Sequence, residues 1–268
     1  MNHSTTHQDP SRQDPHDKHR PLSGVRIVIT GGSAGLGLGL ARQAAAAGAK
    51  VVAIARGRER LEQALQGSGV HPLVADVSDK YAIHRISAEV LERLGGVDVL
   101  IHNASSLGSV PLKTLLDTEC EEVEQALQTN VLGPFRLTRA LLGHTLAHGH
   151  RAVVVHLSSD AAVHAYPGWG AYSLSKAALD HMTRIWAAEL GDRGVRFVAV
   201  DPGDMATDLH FAALPDADPS ALRDPDVVAS ELMAFIARLS RDPQQLPSST
   251  VRLSAEAWRS ADIWRDNP

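Results

Sequence analysis

The sequence predicts an α/β fold in which a parallel sheet is covered by helices on both faces. From Val25 onward, short runs rich in valine and isoleucine alternate with longer amphipathic segments, as they do in folds of this class. A glycine-rich loop between the first such run and a helix-forming segment is a second observation that favours it. The 268 residues suffice for one large core, so we expect a single domain.

The apolar runs predict six strands and a weak seventh. These are Arg26–Thr30, Val51–Ala55, Leu73–Ala75, Asp98–His102, Ala152–Leu157 and Arg196–Val200, with the weak strand at Ser249–Leu253. Helices are expected between them. Thr118-x-x-Glu121 predicts a capping box for a helix from about Glu119, and Asp224 followed by Pro225 predicts another helix start.

Residues 1–22 predict a disordered tail, which leaves residues 23–268 as the single folded domain. Up to about Arg20 the segment is rich in histidine, aspartate, glutamine, serine and threonine and has almost no apolar side chains. Such a segment cannot bury enough apolar surface to offset the conformational entropy lost on ordering.

Composition argues against several classes of function. The net charge is −5 and no run of lysine and arginine occurs, so we expect no nucleic-acid partner. The single cysteine, Cys120, has no intrachain partner, which fits a reducing compartment. No apolar run approaches the ~18 residues that a membrane helix needs, and the N-terminus lacks the apolar core of a signal peptide. We therefore expect a cytoplasmic protein without membrane contact, and we expect no metal site.

The loop after the first strand predicts a dinucleotide site. Its sequence is Thr30-Gly-Gly-Ser-Ala-Gly-Leu-Gly37, and a helix-forming run follows at once. Glycines allow a tight turn and a close approach to a pyrophosphate, whose charge then meets the N–H groups at the helix start. The candidate cofactor contacts in this loop are Gly31, Ser33, Ala34, Gly35, Leu36 and Gly37.

The end of the second strand bears on which dinucleotide binds. An NAD site usually places an acidic residue there, whereas an NADP site needs positive charge for the 2′-phosphate. Here Ala55 is followed by Arg56 and Arg58, so NADP(H) is favoured over NAD(H), with Glu59 as the opposing residue. After the third strand, Asp76 and Val77 either contact the adenine or form a turn or helix cap.

Three reactive side chains lie between the fifth strand and the helix after it. Tyr172 and Lys176 are four residues apart at the start of an apolar-periodic run, so both point to the same side of a helix. The ammonium is expected to lower the pKa of the phenol, and Ser159 would add a hydroxyl to the same volume. The trio suits proton transfer to or from a carbonyl or alcohol oxygen. Taken alone, Tyr-x-x-x-Lys also fits an ordinary half-buried helix.

Taken together, these residues resemble the short-chain dehydrogenase/reductase family in its compact single-domain branch. The shared pieces are the glycine loop, Asp76-Val77, Asn103-Ala104, Asn130, Ser159, Tyr172-x-x-x-Lys176, and Pro202-Gly203 with Thr207. They occur in the family's order and cover roughly residues 25–210. The expected architecture is accordingly a Rossmann-type doubly wound parallel sheet of about seven strands in the order 3-2-1-4-5-6-7.

The resemblance implies a role for each matching residue. Tyr172 would protonate the carbonyl oxygen, Lys176 would lower its pKa and hold the nicotinamide ribose, and Ser159 would orient the carbonyl. Asn130 would anchor a water in the proton relay. Asn103 and Ala104 would lie along the adenine-side ribose. Pro202, Gly203 and Thr207 would frame the nicotinamide and the phosphates, with Met205 beside them.

The sequence departs from the family pattern at three places. His102-Asn103-Ala104-Ser105 stands where Asn-Asn-Ala-Gly is usual, and Asp201 precedes Pro-Gly where asparagine is commoner. At the C-terminus, residues 247–258 replace the usual glycine-rich strand segment, which puts the last strand, part of the substrate pocket and the usual tetramer contacts in doubt.

Ligands of such folds bind beyond the carboxyl ends of the strands, so the loops there hold the substrate candidates. Besides Ser159 and Tyr172, these are Asp160, His164, Tyr166, Trp169, Met205, Leu209, His210 and Phe211. The aromatic ones suggest an apolar or aromatic ketone, or they simply pack the loops onto the core. The apolar faces of the helices at Asn130–His148 and Tyr172–Leu190 predict a homodimer or homotetramer.

The resulting hypothesis is an NADPH-dependent carbonyl reductase, or the reverse alcohol dehydrogenase. Two alternatives remain open at this point. One is an isomerase or dehydratase on the same scaffold, and the other is a dinucleotide-binding sensor without turnover.

Overall fold

The computed structural model describes residues 20–246 and 251–264. Within these ranges seven strands form one parallel sheet in the order β3-β2-β1-β4-β5-β6-β7, which confirms the predicted fold class and strand order. The strands are β1 (Arg26–Thr30), β2 (Lys50–Ala55), β3 (His71–Val74), β4 (Val99–His102), β5 (Ala152–Leu157), β6 (Val195–Val200) and β7 (Arg252–Leu253).

Eight α-helices of the described residues connect and cover the strands. They are α1 (Gly35–Ala46), α2 (Arg58–Leu65), α3 (Ile83–Leu94), α4 (Cys120–Leu127), α5 (Gly133–Ala147), α6 (Gly170–Leu190), α7 (Asp208–Ala213) and α8 (Pro225–Arg241). The predicted strands overlap the observed ones throughout. β3 begins at His71 rather than Leu73, and residues 249 and 250 of the weak last strand lie outside the described residues.

The sheet separates two apolar layers because successive side chains of a strand point to opposite faces. Ile27 and Ile29 of β1 pack with residues of α1, α2 and α8, whereas Val28 packs with residues of α3, α5 and α6. All three side chains are fully buried. With both faces covered, the strands can be apolar at nearly every position, which explains the continuous valine and isoleucine runs.

The two predicted helix starts have different outcomes. Asp224 caps α8 by accepting the N–H of Asp226 at 2.8 Å, with Pro225 in the first turn, as predicted. The capping box Thr118-x-x-Glu121 is wrong by one residue. The N-cap of α4 is Glu119, whose N–H donates to Glu122 Oε2 at 2.9 Å. The Thr118 hydroxyl instead donates to the Thr114 carbonyl at 2.8 Å.

The folded part includes the last residues of the predicted tail. Leu22 is fully buried in the α1 layer, and its N–H donates to the Ala47 carbonyl at 3.0 Å. The predicted boundary after residue 22 is therefore too late, because Leu22 contributes apolar burial to the core. Residues 1–19 lie outside the described residues, and a disordered tail there stays a prediction.

Two further sequence features can be placed in the fold. Cys120, the first residue of α4, is exposed. No helix among residues 20–246 and 251–264 combines the length and the hydropathy that crossing a bilayer requires.

Candidate active site

The residues predicted to react and the glycine loop line one cleft of about 1060 Å³ at the carboxyl edge of the sheet. The parallel registers of β1, β4, β5 and β6 bring the loops that follow these strands together there. The predicted site residues that line the cleft are Gly31, Ala34, Gly35, Leu36, Asn103, Ala104, Ser159, Asp160, His164, Tyr166, Trp169, Tyr172, Lys176, Pro202, Gly203, Met205, Thr207, Leu209 and His210.

Tyr172 and Lys176 lie in the first two turns of α6, where the predicted four-residue spacing places them side by side. Both are buried. The Lys176 ammonium lies 5.5 Å from the centre of the Tyr172 ring and donates to the Leu157 carbonyl, at the end of β5, at 2.6 Å. Trp169 packs edge-on against Tyr172 with 5.7 Å between ring centres. The tyrosine is thus fixed on one side by an indole and on another by the lysine.

The electrostatics of Tyr172 differ from the sequence-based expectation. Burial raises the pKa of the Tyr172 phenol above its usual value, while hydrogen bonding to the hydroxyls of Ser159 and Ser105 acts in the opposite direction. The carboxylates of Asp201 and Asp160 raise the pKa further. The prediction that the pKa of the Tyr172 phenol is lowered is therefore wrong for this structure, because desolvation of the buried phenol is the largest effect.

Lys176 is the group whose protonation is poised near neutrality. Burial lowers the pKa of Lys176 to about 8, against the opposing effects of the Asp180 and Asp201 carboxylates. Buried lysines respond in this direction because a low-polarity environment disfavours the charged form. A modest change in the surrounding charge therefore changes how much ammonium is present at neutral pH.

Ser159 opens a short helical turn in the loop after β5. Its hydroxyl accepts the N–H of Ala161 at 3.2 Å and donates to Asp160 Oδ1 at 3.0 Å. The other carboxylate oxygen of Asp160 accepts the Tyr166 hydroxyl at 2.7 Å. Tyr166 is half exposed, and the hydrogen bond to Asp160 raises its pKa. The Ser159 hydroxyl, the Asp160 carboxylate and the Tyr166 phenol thus form one chain of hydrogen bonds in this loop.

Asn130 lies behind the cleft, in a π-helical turn between α4 and α5 (Gln128–Leu132). π-helical turns are frequent at functional sites. The Asn130 amide accepts the Ser106 N–H and donates to the Ser106 carbonyl and to the Ser175 hydroxyl, each at 2.8 Å. Ser175 in turn donates to the Tyr172 carbonyl at 2.6 Å. The Asn130 side chain therefore ties the loop after β4 to the first turn of α6.

The glycine loop fits a bound pyrophosphate. Helix α1 begins without a side-chain acceptor for its first N–H groups, because its N-cap is Ala34, and these groups face the cleft. The first turn of a helix attracts anions. A Cβ on Gly37 would lie 2.3 Å from both the Gly31 carbonyl oxygen and the Asn103 amide nitrogen, so the loop closes only around glycine. The Asn103 amide also donates to the Thr30 and Gly31 carbonyls, at 3.0 and 3.1 Å.

Comparison with known proteins gives the same picture. The family model for short chain dehydrogenases matches residues 26–217. The chain belongs to the short-chain dehydrogenase family. A curated relative, the 2-(R)-hydroxypropyl-CoM dehydrogenase of Xanthobacter autotrophicus, is 33% identical over 68% of this chain and 75% of its own length. The versicolorin reductase stcU of Emericella nidulans is 29% identical over 92% and 93%, respectively.

Solved structures agree with the family assignment. A short-chain dehydrogenase from Shigella flexneri complexed with NADP superimposes with a TM-score of 0.78 at 25% identity, covering 88% of this chain and 99% of that one. Another member of the family reaches a TM-score of 0.75 at 33% identity, over 88% and 97%. As a short-chain dehydrogenase, this protein is an oxidoreductase of the alcohol/carbonyl class that uses a nicotinamide dinucleotide.

The adenine side of this short-chain dehydrogenase holds the remaining cofactor candidates. Arg56 follows β2 with an exposed guanidinium 4.0 Å from Asp76. Asp76 Oδ1 accepts the N–H and the hydroxyl of Ser78, at 2.9 and 2.7 Å, which is the turn-forming alternative for this residue. Five cofactor candidates are not among the residues that line the cleft. They are Ser33, Gly37, Arg56, Asp76 and Val77.

The three substrate candidates on α7 do not all reach the cleft. Leu209 and His210 of α7 line the cleft, but Phe211 does not. The Phe211 ring packs at right angles to His210, with 6.2 Å between ring centres. Successive residues of a helix point in different directions, so the position of Phe211 as a substrate contact is not supported by the geometry.

Among the residues that were not predicted from the sequence, Arg60, Ser105 and Arg252 also line the cleft. Arg60 of α2 forms an ion pair with Asp208 of α7. Ser105 stands at the position where the family usually has glycine, and its buried hydroxyl lies in the cleft beside the Tyr172 phenol, whose pKa it lowers. That departure from the family pattern was the available signal for Ser105. No local signal marks Arg252, whose partners are far away in sequence.

Two stacked histidines lie beneath the cleft on neighbouring strands. The rings of His102 (β4) and His156 (β5) are 5.0 Å apart, and each is hydrogen-bonded at 2.8 Å to a threonine, Thr138 and Thr183, respectively. Burial lowers the pKa of His156 to about 3, helped by the Lys176 charge, and burial also lowers the pKa of His102. Both imidazoles are therefore neutral at physiological pH.

Proposed function

We propose that this short-chain dehydrogenase is an NADPH-dependent carbonyl reductase, which transfers hydride between nicotinamide and a ketone or secondary alcohol. The observation that carries the proposal is the convergence of Ser159, Tyr172 and Lys176 on one side of a cleft whose other side is the glycine loop. A proton donor and an anion-binding helix start in one cleft fit a reaction in which a proton and a hydride reach the same carbonyl.

The chain's own residues would manage the proton and the position of the substrate. When bound, the dinucleotide supplies or accepts the hydride. In reduction, the Tyr172 phenol donates its proton to the carbonyl oxygen, and the Ser159 hydroxyl orients that oxygen. Because burial raises the pKa of Tyr172, its protonated form is present at neutral pH and is ready to donate. The Lys176 ammonium favours the phenolate that remains.

In this proposal Asn130 connects the loop after β4 to the first turn of α6. Its amide spans from Ser106 to Ser175, which contacts the backbone of Tyr172. A water held there as part of a proton relay, as the family resemblance implies, remains part of the proposal. The substrate would contact His164, Tyr166, Trp169 and Met205, which line the cleft beside Ser159 and Tyr172.

The proposal is tested by the oxidation of NADPH with a panel of ketones of graded size and polarity. Tyr172→Phe should lower kcat/KM by roughly 10²- to 10⁴-fold while the affinity for NADPH survives. Tyr81→Phe is the matched control, because Tyr81 is an exposed tyrosine on the surface. Unchanged turnover in Tyr172→Phe would refute the mechanism.

The same assay separates the alternative functions. An isomerase or dehydratase would form product without stoichiometric consumption of NADPH. A sensor would bind the dinucleotide and turn over none of the ketones. The presence of a buried tyrosine and lysine beside Ser159 supports an enzyme, because a sensor has no need of a proton donor in the cleft.

The preference for NADP(H) is proposed from the residues at the end of β2. Ala55 offers no carboxylate to a ribose hydroxyl, and Arg56 is an exposed guanidinium that suits a phosphate. The Shigella relative that superimposes on this chain is complexed with NADP, which supports the same choice. Arg60 also lines the cleft but is paired with Asp208 of α7, so the proposal rests on Arg56.

Binding measurements with the two dinucleotides test this preference. Arg56→Ala should weaken NADPH by roughly tenfold, about 1.4 kcal/mol, and NADH much less. Arg85→Ala is the control, because Arg85 is an exposed arginine of α3 that is paired with Glu89 at 3.7 Å and is not among the predicted cofactor contacts. Equal loss of both dinucleotides in Arg56→Ala would contradict the assignment.

We also propose that the protein is a cytoplasmic homodimer or homotetramer that associates through α5 and α6. Phe135 of α5 and Leu174 and Ile185 of α6 are large apolar side chains with substantial exposure. Apolar patches of this kind often mark contacts between chains. Sedimentation of a monomer at micromolar concentration would overturn this part of the proposal.

A further inference from the structure

Arg252, on the last strand, reaches across the base of the cleft to the two elements that carry the reactive groups. Its Nε donates to Asp180 Oδ2 of α6 at 2.7 Å, and its NH2 group donates to the Ser159 carbonyl, in the loop after β5, at 3.0 Å. The backbone of Arg252 pairs with Ala199 of β6. One side chain thus connects β7 to the serine loop and to the catalytic helix.

Asp180 lies one helical turn beyond Lys176, on the same side of α6. Asp180 is nine-tenths buried or more, and its Oδ1 has no hydrogen-bond partner within the described residues. A buried ion pair loses hydration on both sides, and a well-packed apolar pair is often as stable or more stable. An incompletely hydrogen-bonded carboxylate at this position is therefore hard to explain by stability alone.

Lys176 and Arg252 donate hydrogen bonds to two backbone carbonyls of the same short segment, residues 157–159. Lys176 donates to the Leu157 carbonyl at 2.6 Å, and Arg252 donates to the Ser159 carbonyl at 3.0 Å. Asp180 is bound to Arg252 and is one turn from Lys176 on the same helix. The segment 157–159 is therefore attached to α6 once directly and once through the Arg252–Asp180 pair.

We propose that Arg252 and Asp180 form a positioning pair for the carbonyl chemistry, which fixes the Ser159 loop against the Tyr172–Lys176 turn and balances the buried charge beside Lys176. This inference rests on the proposed function of the site. Arg252 and Asp180 act through Ser159 and Lys176, so both are positioning residues. The arrangement assigns a role to the unusual C-terminal segment, which supplies Arg252 from β7.

The charged and titratable groups that face Lys176 come from four elements. Asp180 and Tyr172 lie on α6, His156 on β5, Asp201 directly after β6, and Arg252 on β7. Asp180 and Asp201 favour the ammonium, and the neutral His156 adds no charge of its own at pH 7. In addition, Asp160 faces the Tyr172 phenol. Only Asp180 among these carboxylates has an arginine bound to it among the described ion pairs.

The experiment compares Arg252→Met, Asp180→Asn and the double variant with the native chain. The titration of Lys176 is followed by NMR of the protein labelled with 13C-lysine, in the absence of dinucleotide and substrate, and its resonance is assigned with Lys176→Arg. Arg252→Met leaves the Asp180 charge unbalanced, so the pKa of Lys176 should rise by about one pH unit. Asp180→Asn should lower it, and the double variant should return close to the native value.

Steady-state kinetics form the second arm. Arg252→Met should lower kcat about tenfold with a smaller change in KM, because the position of the Ser159 hydroxyl affects the transition state more than it affects substrate binding. The midpoint of its pH profile should move with the Lys176 titration, and Arg252→Lys should recover part of the rate. The matched control is Arg26→Met, which breaks an Arg–Asp pair of equal arginine exposure at the opposite edge of the sheet. It should leave both the titration and kcat unchanged.

Two results would overturn the inference. One is a Lys176 titration that is the same in all four proteins, and the other is an Arg252→Met variant with native kcat and pH profile. A fall in kcat that only follows a loss of folded protein, with an unmoved titration, would show a structural role and would also reject the proposal. If the native chain reduces no ketone, the proposed function fails, and the NMR titration still decides whether the pair controls the charge on Lys176.

Discussion

The two edges of the sheet use the same kind of ion pair in different ways. At the amino edge, Arg26 holds both carboxylate oxygens of Asp98, at 2.6 and 2.9 Å, and its own N–H adds a third bond at 2.8 Å. At the carboxyl edge, Arg252 holds one oxygen of Asp180 and leaves the other without a partner within the described residues. The fully hydrogen-bonded Arg26–Asp98 pair joins β1 to the start of β4. The incompletely hydrogen-bonded Arg252–Asp180 pair lies at the base of the cleft.

Both edges also contain glycines with a positive φ. At the amino edge these include Gly95 and Gly96, and a Cβ on Gly96 would lie 2.3 Å from the Arg26 guanidinium. The carboxyl edge contains the helix start without a side-chain cap, the left-handed turn at Gly31, and a glycine whose Cβ would meet another backbone atom at 2.3 Å. Glycine adopts such conformations without strain, and the first turn of a helix attracts anions, so these features suit the carboxyl edge to receive a ligand. The comparison therefore rests on the ion pairs, since the amino edge completes the hydrogen bonds of its carboxylate and the carboxyl edge leaves one carboxylate oxygen without a partner within the described residues.

Gly37→Ala, at the carboxyl edge, is expected to have the largest effect on stability and on dinucleotide binding. The new methyl would overlap the Gly31 carbonyl oxygen and the Asn103 amide, so the loop must shift. We expect a loss of about 1–3 kcal/mol in the free energy of unfolding, measured by urea denaturation, together with the loss of dinucleotide binding.

Gly143→Ala is the control for that change. Gly143 is an exposed residue inside α5, and no atom lies within 4 Å of the position of its Cβ. The alanine should stabilise the protein by about 0.5–1 kcal/mol and leave dinucleotide binding unaltered. If Gly37→Ala behaved in the same way, the close approach in the glycine loop would have no functional meaning.

An intermediate effect is expected from Arg26→Met, which tests the amino edge by itself. The variant removes two charged hydrogen bonds to Asp98 and should lower the free energy of unfolding by about 1–2 kcal/mol. Turnover should stay at the native level because the pair lies at the far edge from the cleft. Reduced kcat in a fully folded Arg26→Met sample would show that the two edges are coupled.

How much the sequence predicts depends on the range of the interaction. The strands follow from apolar runs whose pattern is local, and Tyr172 and Lys176 follow from a four-residue spacing on one helix. The predicted start of α4 is wrong by one residue. Thr118 and Glu119 are both followed three residues later by a glutamate, and only the hydrogen bonds of the folded chain distinguish Glu119 as the N-cap. Arg252 and Asp180 are 72 residues apart, and no local pattern pairs them.

Burial explains the remaining differences from the sequence-based expectations. The sign of the pKa shift of Tyr172 depends on how completely the phenol loses water, which the spacing to Lys176 does not reveal. The orientation of Phe211 likewise depends on how α7 packs. The sequence therefore indicates which loops border the cleft and predicts its electrostatics poorly, and the roles of the site residues stay a prediction.

The smallest expected effect concerns the buried histidines beneath the carboxyl edge. His156 has a pKa of about 3 in the folded protein against an ordinary value of 6.5, so the unfolded chain binds more protons between these values. The corresponding stability is fully present above pH 6.5 and is lost as the pH falls toward 3. Between pH 7.5 and 5.5, His156 should contribute a loss of about 1.4 kcal/mol.

Urea denaturation of the native protein and of His156→Gln at both pH values measures this contribution. The variant should lose about 1.4 kcal/mol less on acidification, because glutamine does not titrate. His102, whose pKa is also lowered by burial, continues to contribute in both proteins. Identical losses in the two proteins would mean that His156 titrates normally in the folded state.

The uncapped start of α1 has a consequence for the lifetime of the protein. Since Ala34 offers no oxygen to the amides that follow it, a bound anion is the natural group to complete the first helical turn. A ligand present at 100 times its Kd would add about 2.7 kcal/mol to the native state. A protease in solution should accordingly digest the protein more slowly when the dinucleotide is bound.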